Sequence, residues 1–112
     1  MKKIAKDGFS IERGEVFYLK KLSLIVAVIS NKLHNLLSNY LTVILATDKN
    51  TDEIQESLEI LFELKAKKLK LVVSCLYTIE KKTLEETGNL WGKLDEKTRE
   101  QMDDKIRSIL DL

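Results

Sequence analysis

The apolar positions of this chain fall in short blocks, and most of them repeat at strand spacing rather than helix spacing. Ile11 to Tyr18, IERGEVFY, turns from polar to β-favouring residues, with Gly14 near its start, and predicts a first strand. Leu24 to Ser30, LIVAVIS, is short, continuous and partly β-branched, as expected of a central strand buried on both faces. The Asn and Ser residues of NKLHNLLSN predict a loop, after which Tyr40 to Ala46, YLTVILA, predicts a third strand that breaks at Thr47-Asp48-Lys49-Asn50. TDEIQESLEILFELKAKK reads two ways. Its helix formers and the cap candidates Thr51 and Asp52 favour a helix, while Leu58, Ile60, Phe62 and Leu64 share one face at period two.

Leu69 to Tyr77, LKLVVSCLY, predicts another buried strand, then a short helical turn from about Glu80 to Thr87 and a loop around Trp91 framed by Gly88 and Gly92. The clearest element comes last. Asp95 is placed to cap a helix on which Met102, Ile106, Ile109 and Leu110 recur at three- and four-residue spacing. The expected fold class is therefore mainly β with a C-terminal helix, and 112 residues suit a single domain, 1–112.

Composition narrows the chemistry. A chain that is 44% hydrophobic and 33% charged is too apolar for intrinsic disorder. A formal net charge of +1 excludes binding by bulk charge excess, so a polyanion would have to be met locally. The charge is unevenly spread: residues 1–21 hold six Lys/Arg against three acids, 51–64 five acids and no base, and 65–82 six Lys against one Glu. Lys65, Lys67, Lys68 and Lys70 read either as a solvated turn or as a phosphate-binding rim. One Cys and one His supply neither an intrachain disulfide nor a Cys/His zinc cluster, and Cys75 reads as a small buried hydrophobe. The longest apolar run, Leu24 to Ile29, is far short of the roughly 20 residues that cross a bilayer, and no cleavage signal follows it. A cytoplasmic protein without a membrane partner is expected.

Four stretches together resemble the MazF/PemK family of toxin endoribonucleases. IERGEVFY at 11–18 is similar to the family's opening I-x-R-G-[DE]-[VI]-[WY]-[YL] strand, and VAVISN at 26–31 to its R-P-V-V-V-I-x-N segment. TVILAT at 42–47 resembles T-V-[IV]-V-x-P-[IL]-T, two residues shorter. VVSCLYTIEKKTL at 72–84 is similar to V-L-x-D-Q-[IV]-R-[TS]-[VI]-D-K-x-x-L, and is followed by a G-x-L-D match at Gly92 to Asp95 and by the closing helix. The resemblance implies a small SH3-like barrel, usually a homodimer, in which SLEILFEL becomes a strand hairpinned to LKLVVSCL. It also implies metal-independent cleavage of single-stranded RNA, no cofactor, and an antitoxin protein that covers the cleavage groove.

Such a cut needs the 2′-hydroxyl deprotonated and the negative charge on the phosphoryl oxygens met by a cation or donor. In the family an arginine before proline and a threonine ending the third strand supply much of this. Thr47 matches the threonine, with Asp48 and Lys49 beside it, whereas Leu24 and Ile25 stand where the arginine and proline would be. The family's long loop between the first two strands is reduced to Lys20-Lys21-Leu22-Ser23, and Cys75 and Tyr77 replace its Gln and Arg. The candidate catalytic residues are accordingly Thr47 as donor, Lys21 as replacement cation and His34 as proton carrier; Lys20, Asn31 and Lys49 are the RNA-binding candidates. The alternative is a non-catalytic MazF-like module that binds nucleic acid or a protein partner.

Overall fold

The computed structural model describes residues 11–110. The lysines at the start of the basic opening segment, Lys2, Lys3 and Lys6, and the last two residues lie outside them. Among the described residues, six strands form one antiparallel sheet in the order β4-β5-β3-β2-β1-β6. The strands are β1 (Glu15–Leu19), β2 (Leu24–Val28), β3 (Tyr40–Thr47), β4 (Glu59–Leu64), β5 (Lys67–Glu80) and β6 (Gly88–Lys93), with helices α1 (Lys32–Leu37), α2 (Lys81–Thr87) and α3 (Glu96–Leu110).

Strand alternation splits the core into two parts, because successive side chains point to opposite faces. Val16, Ala27, Ile44, Ala46, Ile60, Phe62, Leu69 and Leu71 pack with Met102 of α3. Phe17, Leu19, Val26, Val28, Leu41 and Val43 pack with Leu84 of α2. The sheet curls because β5 bulges: Ile44 pairs with Leu76 but Leu45 with Val72. Curling brings its two ends together through side chains, with Leu64 at the end of β4 only 3.0 Å from where a Cβ on Gly92 would stand. The stretch with two readings is therefore strand at Glu59–Leu64, with Ile60 and Phe62 buried and Leu61 and Glu63 exposed. Tertiary pairing with β5 overrides the helix propensity.

Two expected loops are regular structure. Within NKLHNLLSN, the Asn31 side chain accepts the His34 N–H at 2.8 Å and caps α1. The buried Asn35 anchors that helix, donating to Ile11 O at 2.8 Å and Ser30 O at 2.9 Å. Those asparagines that read as loop punctuation are a cap and a buried tether. The segment around Trp91 is β6, paired with β1 across a bulge, and its glycines make room for close neighbours rather than a turn. Cys75 is half-buried rather than fully buried, because it sits in the irregular part of β5. At the end of α3, Leu110 is 59% exposed and falls outside the buried stripe.

The Arg-Gly pair that opens β1 ties both ends of the chain together. Arg13 forms an ion pair with Asp103 of α3. Gly14 has φ 92°, donates to Val28 O at 2.7 Å and accepts from Leu94 N–H at 2.8 Å. A Cβ there would lie 2.7 Å from Arg99 Cδ. Gly14→Ala is expected to lose about 1–3 kcal/mol to backbone strain alone; an unchanged thermal midpoint would show that this φ is not required.

Candidate functional site

At one end of the sheet, register brings the β1–β2 turn beside the end of β3. Leu19 pairs with Leu24, Ile25 with Ala46 and Thr47 with Lys70. A cavity of about 210 Å³ opens here, lined by Ser23, Leu24, Thr47, Asp48 and Lys49 along with Ile25, Leu45 and Ala46. The half-buried Thr47 accepts the Lys49 backbone N–H on its Oγ1 at 3.1 Å. Its hydroxyl proton is thereby left to donate to a ligand, since a hydroxyl is both donor and acceptor. The cavity holds two hydroxyls, one carboxylate and one ammonium. Leu24 places an apolar side chain, 37% exposed, beside them.

Lys20 and Lys21 sit on the other side of the same turn. They line a separate cavity of about 560 Å³ with Glu85, Glu86, Thr87, Gly88 and Asn89, so the carboxylates of α2 offset part of their charge. Ser23 closes the four-residue turn at φ 53°. Among the sequence-derived candidates, then, Thr47 and Lys49 share one cavity while Lys20 and Lys21 occupy its neighbour. Asn31 and His34 are not brought together with them. His34 lies in α1 and Asn31 caps it; Ser30, just before the cap, is bonded to Thr42, about 16 Å of strand from Thr47 at a rise of ~3.3 Å per residue.

One lysine was misplaced by sequence reasoning. Lys65 is in the β4–β5 turn and Lys67 and Lys68 are exposed on β5, but Lys70 is 7% exposed. It is the cross-strand partner of both Thr47 and Leu61. Its Nζ donates to Glu53 O and Glu59 Oε1, each at 3.2 Å. The Gln55 N–H, bonded to Glu59 Oε1 at 2.9 Å, together with Lys70 holds the Glu59 carboxyl below its usual range. The available signal was its place between Leu69 and Leu71, on the opposite face of the strand from two core residues.

Trp91 stacks on Tyr18 with ring centroids 5.4 Å apart and planes at 22°, and Lys67 Nζ lies 5.4 Å from its ring centre. These contacts make Trp91 part of the seam where the sheet closes, in a strand rather than a loop. Among the described residues no cluster of three or more His, Cys, Asp or Glu side chains is arranged to hold a metal ion. No helix among them is long and apolar enough to cross a membrane.

No family model matches the sequence, and no curated protein matches it by sequence comparison. Solved structures do match. An endoribonuclease from a mycobacterial species superposes with a TM-score of 0.75 at 16% identity, over 91% of this chain and 92% of that one. The same endoribonuclease description recurs for a structure in complex with its cognate antitoxin, at a TM-score of 0.74 and 15% identity over 91% and 96%. A MazE-MazF structure from Deinococcus radiodurans gives 0.74 at 10% identity over 92% and 98%. Likeness this extensive at such low identity is likeness of fold: the chain has the MazF-like fold, a curled six-stranded antiparallel sheet with a C-terminal helix.

Proposed function

We propose that this chain is the toxin of a toxin–antitoxin pair, a cytoplasmic single-domain endoribonuclease (residues 1–112) that cuts single-stranded RNA without a metal or other cofactor and works as a homodimer. The observation that carries this reading is the cavity in which Thr47 and Lys49 meet at the end of β3, on a fold shared with endoribonucleases solved alone and with an antitoxin. In the cut, the 2′-oxygen gives its proton to a water molecule and attacks phosphorus. The bond to the 5′-oxygen breaks, and that oxygen takes a proton from water as it leaves, so the proton count is unchanged. Thr47 donates to a phosphoryl oxygen while the Lys49 ammonium offsets the added negative charge. Lys21 and Lys20 hold the adjoining phosphate as compact cations. Asn31 and His34 would meet a nucleotide several positions away, so His34 carries no proton at the Thr47 site of its own chain.

A second reading has its own support. Leu24 stands where the family's cation would be, and four residues replace the loop that closes over RNA; both favour a non-catalytic module that binds nucleic acid or a protein. Incubating the purified protein with a long single-stranded RNA in EDTA separates the two. A folded parent that leaves the RNA whole but is retained on an RNA column, and released steeply by salt, would be the binding module.

The homodimer rests on α1, where Leu33, Leu36 and Leu37 are 66%, 53% and 76% exposed, next to Tyr40 at 53%. A contiguous exposed apolar patch of this kind marks an interface. Sedimentation should show a dimer for the parent and a monomer for the Leu33→Asp/Leu37→Asp double variant; a monomeric parent at micromolar concentration would rule the dimer out.

A further inference from the structure

We propose that Lys70 is a positioning residue for this cleavage: with Glu59 it pins the β3–β4 loop, residues 48–58, so that Asp48 and Lys49 stand at the Thr47 cavity. The proposal rests on the function proposed above. The loop follows directly on Thr47, whose cross-strand partner is Lys70 itself, so the pin and the donor lie side by side on one face of the sheet.

The pin joins this loop and the start of β4 to β5, the strand that lies between β3 and β4 in the sheet. Lys70 Nζ reaches up from β5 to the Glu53 carbonyl in the middle of the loop and to the Glu59 carboxylate at its end. That carboxylate accepts the Gln55 N–H, and Gln55 O in turn accepts from Leu58 and Glu59 N–H at 2.9 and 2.8 Å. Earlier in the loop, Asn50 adopts φ 55° and its carbonyl accepts from Glu53 N–H at 3.2 Å. Two strained or tight turns are therefore locked to one buried ammonium. Asn50, Glu53, Ile54, Gln55, Glu59 and Lys70 surround an open polar cavity of about 530 Å³; the exposed Lys68 and the half-buried Lys105 also reach the loop, at Asp52 and at the Glu56 carbonyl, but Lys70 is the buried ammonium among its tethers.

A buried ion pair is a poor source of stability, because desolving both charges offsets most of their attraction. An apolar pair of similar volume would keep the sheet as stable, and Leu61, the other cross-strand neighbour of Lys70, is already apolar. What a methylene chain cannot do is hold the Glu53 carbonyl. The ammonium is needed for loop geometry, and loop geometry fixes where Lys49 meets the phosphate.

The test compares the parent with Lys70→Met/Glu59→Gln and with Lys70→Arg. The double variant should melt within a few degrees of the parent, exchange the amides of residues 49–55 faster while those of 24–28 stay protected, and lose kcat by about tenfold or more with KM little changed, as expected when a reacting group is slightly misplaced. Lys70→Arg, which can still reach Glu53 O and Glu59, should recover most of the rate. Unchanged exchange at 49–55 overturns the pin. Faster exchange with unchanged kcat overturns the positioning role, and so does a fall in kcat matched by a general loss of amide protection. A parent that does not cut RNA overturns the function reading and the catalytic half of this proposal with it, while the exchange result still decides whether the pair holds the loop.

Discussion

Thr47→Ala is expected to slow cleavage of a long single-stranded RNA in EDTA by about 10²–10³-fold, the usual effect of removing one donor aimed at developing negative charge. The size follows from how little else is available. The cavity at the end of β3 holds a single ammonium, that of Lys49, and Leu24 contributes no charge. A neutral donor that is already oriented should therefore carry more of the burden than it would beside an arginine. Thr47 Oγ1 is oriented because it accepts the Lys49 N–H, which fixes the rotamer and points the hydroxyl proton away from the backbone. The substitution should leave the fold intact, since Thr47 is held to the sheet by main-chain pairing at the Thr47 and Lys70 register. Thr47→Ser should restore most of the rate because it keeps the hydroxyl. If the alanine variant cuts at the parental rate, either a contaminating nuclease is responsible or the donor is another group; Lys20→Ala/Lys21→Ala made in parallel distinguishes these, since a contaminant ignores both substitutions.

Met102→Ala should be the most damaging of the single core truncations in α3, at about 2–5 kcal/mol. For a domain of this size that corresponds to a fall in melting temperature of roughly 4–8 °C per kcal/mol. Met102 is fully buried against the strand residues of the larger core. Ile106 and Ile109 pack against the same cluster but remain partly exposed, so they cannot refill the space. Leu110→Ala on the exposed side of the helix should scarcely move the midpoint. Equal effects of the two substitutions in a thermal melt would mean that α3 does not dock through Met102.

Much of the fold was readable because strand alternation and the helix cap are local signals. Asp95 does cap α3, its Oδ1 accepting the Thr98 N–H at 2.7 Å, and that bond, more than any neighbouring charge, lowers the Asp95 pKa. Strand boundaries shifted by a few residues where pairing, not propensity, decides. The α1 helix was hidden because Asn31 and Asn35 resemble loop residues until their partners are known, and β6 was hidden because Gly88 makes room for the Leu84 carbonyl and Gly92 for Leu64, beside the bulge at Trp91. At the site, Thr47 and Lys49 were legible from their place at a strand end. The separation of His34 from them was not, since the twelve residues between His34 and Thr47 in sequence conceal nearly a full strand length. Lys70 was missed for the opposite reason: its partners, Glu53 and Glu59, are brought to it by a turn that sequence does not announce.

The pairing of β1 with β6, residues 15–19 against 88–93, has a consequence for how the protein is made. Strands β1 to β3 can meet as soon as they emerge from the ribosome, because they are neighbours in sequence as well as in the sheet. The outer edge of β1 has no partner until Lys93 has been synthesised, and the larger core stays open until α3 supplies Met102. During that interval the nascent chain presents an unpaired strand and an uncovered apolar face, the two features that make a folding intermediate sticky. Until residues 88–102 have been made, the nascent chain would thus be exposed to association with other chains.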